Sequence, residues 1–286
     1  MYDSINKLIE DSQKMNLPLW KVIQKEDCHE ENISEEESFS LMKKMYEAMK
    51  SSEKSYNPKL RSRSGLVGGE AGKIEKRRMN RELLVGDFMG RIMEKALKIA
   101  ESNACMKRIV ACPTAGSCGV LPAVLLTLQE EYNYTDEDMT KALYIAAGIG
   151  GVIAKRASLS GAEGGCQAEI GSASAMAAGA VAFLKNGSND DIANASALAL
   201  KSLLGLACDP VAGLVEVPCV KRNVVGALNA ISSADMALAG ITSRIPADEV
   251  FDAMKLIGHC MSSEIRETGK GGLAVTPQGE KIRKEL

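Results

Sequence analysis

Residues 170–184 read Ile170-Gly-Ser-Ala-Ser-Ala-Met-Ala-Ala-Gly-Ala-Val-Ala-Phe-Leu184, an uncharged run bounded by Glu169 and Lys185. The run is shorter than the ~18 residues that suggest a membrane span. It is built from Ala, Ser and Gly, which predicts a buried helix. Outward from it, helix signals recur. Ser188-Asn-Asp-Asp-Ile opens a helix expected to run to about Leu204, with Gly205 as its stop. Thr135-Asp-Glu-Asp138 is a helix start, a Thr with an acid three residues later. Pro246-Ala-Asp-Glu opens another helix, carrying Val250, Phe251, Met254 and Ile257. Residues 80–101 place Leu84, Phe88, Ile92, Met93, Ala96 and Leu97 at helical spacing. Period-2 strand runs are scarce. The expectation is a mainly α chain: a polar helical N-terminal section over residues 1–60 and a single helical catalytic domain over 61–286, with glycine- and cysteine-rich loops.

Three further segments stand out. Residues 26–37 are strongly acidic and read as a solvated helix face. Residues 61–78 mix Gly with Lys and Arg and read as a loop. Residues 267–280 form a glycine-rich tail, too irregular for a helix.

Composition narrows the function. Of 286 residues, 45% are hydrophobic and 25% charged, as in a globular protein. Aromatics are 4% and the net charge is −2, which argues against nucleic acid and against an acidic membrane as partners. The N-terminus has no apolar signal region, so a cytoplasmic location is expected. There a chain with eight cysteines uses them for metal, catalysis or packing, and no Cys-x-x-Cys pair occurs.

The chemistry concentrates in three loops between helices. They are Cys112-Pro-Thr-Ala-Gly-Ser-Cys-Gly119, Ser158-Leu-Ser-Gly-Ala-Glu-Gly-Gly-Cys-Gln-Ala-Glu169, and Cys208-Asp-Pro-Val-Ala-Gly-Leu-Val-Glu-Val-Pro-Cys-Val-Lys-Arg-Asn223. Glycines beside Cys166 imply a backbone packed close to something, or a turn that aims the sulfur. Prolines beside Cys208 and Cys219 hold each thiol next to a rigid point, which suits a metal ligand. Spacing alone names no metal, and small buried cysteines are an equal reading of these two. Lys221 and Arg222 could offset thiolate charge or bind an anionic substrate.

These loops resemble the α subunit of bacterial iron–sulfur L-serine dehydratases. The resemblance extends to Ser64-Gly-Leu-Val-Gly-Gly69, to Asp235-Met-Ala-Leu-Ala-Gly-Ile-Thr-Ser-Arg-Ile-Pro246 and to Arg266-Glu-Thr-Gly-Lys-Gly-Gly-Leu-Ala274, and covers roughly residues 60–280. It implies dehydration of L-serine to pyruvate and ammonia by a [4Fe–4S] cluster. Three cysteines would hold it, by motif Cys166, Cys208 and Cys219. Three ligands for four irons leave one iron open as a Lewis acid. The glycines at 164 and 165 would then let the backbone approach the cluster. Cys112 and Cys118 read as packing residues of the substrate-side loop. Thr114, Gly116 and Ser117 are candidates for the substrate carboxylate, with Ser64 and Gly65 as further ones, and Lys221 as an electrostatic neighbour of the cluster.

The resemblance also implies a partner. In the family a separate β subunit or domain carries the histidine expected as the base. This chain has two histidines. His29 lies in the acidic segment and His259 near a helix end, where it reads as packing or a cap. The expectation is a chain that works as an α/β heteromer. Two other readings compete. A pyridoxal-phosphate dehydratase would need a Schiff-base lysine, Lys155 or Lys221, and would leave the cysteines without purpose. A metal-stabilised scaffold or interaction subunit would need only a closed site.

Overall fold

A computed structural model describes residues 2–286, and among these there are helices and no strand. The first three helices, α1 (Ile5–Met15), α2 (Leu19–Glu31) and α3 (Glu35–Lys54), lead into α4 (Ala71–Met79) and α5 (Gly86–Ala104). Then come α6 (Val120–Tyr132), α7 (Asp136–Arg156), the single turn α8 (Gly161–Gly164) and α9 (Ser172–Leu184). The chain closes with α10 (Asn189–Lys201), α11 (Cys219–Leu238), α12 (Ala247–Cys260) and α13 (Pro277–Glu285).

The centre of the molecule is α9, the uncharged run. Every residue of it except Phe183 is buried, and α6, α7, α10 and α11 pack around it. Its small side chains permit that. At Gly179 an added Cβ would fall 2.2 Å from Ile149 of α7 and 2.8 Å from the Ser196 hydroxyl of α10, so both neighbours lie on the backbone itself. Some of the polar groups in this core join its helices, while the buried hydroxyls of Ser172, Thr127 and Ser233 have no partner among the described residues. Ser174 donates to the Gly226 carbonyl at 2.8 Å, and Asn229 donates to Ser174 and to the Ala199 carbonyl, joining α9, α10 and α11. Capping boxes at Thr135 and Ser188 start α7 and α10 where the sequence places them.

The polar N-terminal helices share this core. Ile5, Leu8, Leu19, Val22 and Tyr46 belong to the same hydrophobic cluster as α7 and α9. Asp248 of α12 accepts from the Ile5 N–H and the Ser4 hydroxyl, both at 2.8 Å, satisfying a free donor at the start of α1.

Several local expectations change. The acidic segment is two helices, broken where Asn32 takes a left-handed conformation and restarted by a Ser34 cap. Its Asp27 accepts from the Ser38 hydroxyl at 2.6 Å, so the face is not wholly solvated. Residues 71–78, read as loop, are helical. The cap of α4 comes from far along the chain: Glu101 of α5 accepts from the Glu70 and Ala71 N–H groups, each at 2.9 Å. No local pattern could reveal it. Leu84 lies outside α5 and is fully exposed. Helix α10 ends at Lys201, and Gly205, at φ +83°, follows a short turn. The C-terminal tail has no α-helix up to Thr276, only a short 3-10 turn at Gly272–Val275; Thr276 then caps α13 with Pro277 as its first residue, so residues 277–280 are helical against expectation.

Candidate metal centre

The second loop carries Cys166 and Glu169 on either side of a tight bend. Ser160 caps α8, and residues Gln167–Gly171 form a π-helical turn that leads into α9. Buried Gln167 fixes this turn from both ends. It accepts from the Gly205 N–H at 2.9 Å and donates to the Met254 carbonyl at 3.0 Å. Gly165 sits at φ +74°, where a Cβ would fall 2.6 Å from the Met261 sulfur and 2.9 Å from the Leu206 carbonyl. The close approach that requires this glycine is therefore to Met261 at the end of α12 and to the Leu206 carbonyl just before the third loop, which differs from the sequence-based reason.

Cys208, in the third loop, pairs with the C-terminal tail. Its N–H donates to the Ile265 carbonyl at 2.8 Å, and its carbonyl accepts from the Glu267 N–H at 2.7 Å. Asp209 accepts from Arg222 and from the Leu273 N–H, both at 2.9 Å, and Arg222 also donates to the Ala207 carbonyl at 2.6 Å. The tail thereby holds Cys208 against α11.

The first loop joins through Asn223. Its side chain accepts from the Gly119 N–H at 2.8 Å and donates to the Gly116 carbonyl at 2.8 Å and to the Cys219 carbonyl at 3.1 Å. Thr114 donates to Glu169 at 2.7 Å.

The result is one basin. Donor atoms of Cys166, Glu169 and Cys208 all lie within 4.8 Å of one another. Cys219, buried at the start of α11, is outside that group but near enough for its charge to act on Cys208 and for that of Cys166 to act on it. Gly161 faces the basin: a Cβ there would fall 2.9 Å from a Glu169 carboxylate oxygen, 3.2 Å from the Cys208 sulfur and 3.2 Å from a Glu267 oxygen.

The electrostatics sort the thiols. The Cys166 thiol is pulled below its ordinary pKa by the hydrogen bond from Cys208, with the Arg222 guanidinium adding to it against the cost of burial. Cys208 is pushed up by that same bond, by burial and by the negative charges around it. Cys219 is pushed up to about 12 by burial and by Cys166. Glu169 is raised by burial and by Glu267. Several acidic groups thus face one another, most of them held toward their neutral forms, with Arg222 as the guanidinium bonded to Cys166. A bound cation would reverse these penalties.

The residues singled out from sequence divide accordingly. Cys166 and Cys208 come together, with Cys219 beside them. Thr114 and Gly116 border Glu169; Ser117 is buried within its own loop and bonds to Thr114. Ser64, with Ser62, donates to Glu216, and Gly65 lies in the same turn at φ +79°. Lys221 pairs with Glu70 at 2.6 Å, and its neighbour Arg222 is the cation at Cys166. Lys155 is exposed on α7. Cys112 and Cys118 are buried packing thiols, and burial pushes Cys118 up to about 12. His29 and His259 are both exposed, so His259 is not a packing residue. Glu169, Asn223 and Glu267 had no assigned role from sequence. Glu169 stands three residues after Cys166, and that spacing around a bend was the available signal.

Comparison with known proteins follows the same residues. The family described as serine dehydratase alpha chain matches residues 14–274. The chain is 44% identical, over its whole length and 95% of the relative, to the probable L-serine dehydratase alpha chain of Bacillus subtilis (strain 168). It is 38% identical, over its whole length and 98% of the relative, to the L-serine dehydratase alpha chain of Peptoniphilus asaccharolyticus. An L-serine dehydratase of Helicobacter pylori (strain ATCC 700392 / 26695) is 45% identical over 63% of this chain and 40% of its own length.

Proposed function

The chain belongs to the serine dehydratase alpha-chain family, and on that premise we propose that it is the α subunit of an L-serine dehydratase in which Cys166, Cys208 and Cys219 hold a [4Fe–4S] cluster. The observation that carries the reading is the convergence of Cys166 and Glu169 of the second loop with Cys208 of the third within 4.8 Å. The residues fit such a group. All three thiols are buried, Arg222 favours a thiolate at Cys166, and Gly161 keeps side-chain carbon from between Glu169 and Cys208. When bound, the cluster supplies an open iron as Lewis acid for the leaving hydroxyl of L-serine.

The chain's own residues position and shield. Asn223 ties the 112–119 loop to α11, so that the loop holding Thr114 keeps its place relative to Cys219. The hydroxyl of Thr114 and the backbone around Gly116 border Glu169 and are suited to a carboxylate. Arg222 and Asp209 fix the Cys208 loop, and the tail segment 265–273 closes over it. Both histidines are exposed and outside the basin, so the proton acceptor for the substrate's α-carbon is assigned to a partner β subunit.

The experiment is to purify the chain anaerobically and to determine iron and acid-labile sulfide per chain, in the wild type and in the Cys166→Ala, Cys208→Ala and Cys219→Ala variants. Close to four of each in the wild type, lost in all three variants, is the expected result. Zinc alone, or a chain that takes up no metal after reconstitution, would sink the reading.

A further inference from the structure

Three thiolates leave one iron without a protein ligand, and the basin contains one more donor that nothing so far has used. Glu169 lies on the π-helical turn beyond Cys166, with its donor oxygen inside the same 4.8 Å group as the Cys166 and Cys208 sulfurs. Its two oxygens are differently placed. One accepts from the Thr114 hydroxyl at 2.7 Å. The other faces the space before Gly161, on the side of the Cys208 sulfur. Of the other acids nearby, Glu267 also sets an oxygen 3.2 Å from where a Gly161 Cβ would fall. Asp209 is occupied by Arg222 and the Leu273 N–H, and Glu267 stands outside the group. A carboxylate oxygen is a harder donor than a thiolate and a more readily exchanged one.

We propose that Glu169 is the displaceable fourth protein ligand of the resting centre, closing the iron that the cysteines leave open until substrate takes its place. This rests on the cluster reading above. With the cluster bound, Glu169 would yield its place to a substrate oxygen without any change of oxidation state, and its carboxylate would remain held by the Thr114 hydroxyl. A side chain at Gly161 would crowd the Glu169 oxygen and the Cys208 sulfur, so the bare glycine leaves both free to reach one centre. Thr114 is a positioning residue in this scheme, since it acts through Glu169.

The test uses the full chain, loaded with iron and sulfide under anaerobic conditions. The rate at which one iron is lost on limited oxidation is followed by iron analysis and by the electron paramagnetic resonance signal of the three-iron product. A closed centre holds its fourth iron more firmly than an open one. Glu169→Gln should therefore release that iron roughly 10–100-fold faster than wild type, and Glu169→Asp by a smaller factor. L-serine added to wild type should also alter the rate, and should do so less in Glu169→Gln. Iron and sulfide present in full, with equal release rates in wild type and both variants, overturns this proposal alone. A wild-type chain without iron and sulfide overturns the cluster reading along with it. Far-ultraviolet circular dichroism of each variant separates misfolding from a lost ligand, and Glu169→Asp carries the comparison should Glu169→Gln not fold.

Discussion

Gly161 opens α8 with a hydrogen where any other residue would put carbon between Glu169, Cys208 and Glu267. Its backbone is not in the left-handed region, so alanine there is limited only by what the methyl group meets. The 2.9 Å and 3.2 Å approaches are tighter than a Cβ normally tolerates. Gly161→Ala should fold, because alanine favours helix over glycine by about 1 kcal/mol. It should also take up less than half of the wild-type iron on reconstitution, measured per chain. Wild-type loading would show that the cluster does not use this space. At the same scale the cysteines illustrate what type and spacing convey. The prolines and glycines around 166, 208 and 219 marked them out, whereas the depressed pKa of Cys166 depends on Cys208 and Arg222, which lie tens of residues away in sequence.

At the scale of elements, α4 and α5 show how charge can hold a helix that propensity does not predict. Glu94 of α5 accepts from Arg78 of α4 at 2.8 Å and from Lys98 at 2.6 Å. Burial would raise the Glu94 pKa, but the bonds from Lys98 and Arg78 outweigh it and hold the carboxyl below its ordinary 4.5. A carboxyl whose folded pKa is depressed contributes stability that is complete above its unfolded value and is lost as pH falls through the folded one. The α4–α5 contact should therefore weaken on acidification below pH ~4.5. Urea unfolding of wild type and Glu94→Gln should differ at neutral pH and converge in acid. A difference that stays constant with pH would mean that the ion pairs are not its source.

At the scale of the whole molecule, the N-terminal helices, the central α9 and the cysteine loops belong to one packed body, and among the described residues no helix is long and apolar enough to cross a membrane. The basin is built from three loops and the C-terminal tail, yet neither histidine reaches it. On the proposed reading, the chain loaded with iron and sulfide should show little or no L-serine dehydration alone, and full activity once a β subunit is added, followed as pyruvate formed. Turnover by the chain alone would remove the need for a partner base.

The mainly helical class, the starts of α7, α10 and α12, and the three cysteine loops were legible in the sequence, because caps, prolines and uncharged runs act over a few residues. What only the tertiary structure decided are the long-range terms. The cap of α4 is Glu101, the reason for Gly165 is α12 and the Leu206 carbonyl, and the partner of Cys208 is the tail at residues 265–267. Glu169 acquires its place for the same reason. A carboxylate becomes a candidate ligand only when folding brings Cys208, Thr114 and the bare Gly161 around it, and no periodicity along the chain encodes which distant atoms will meet.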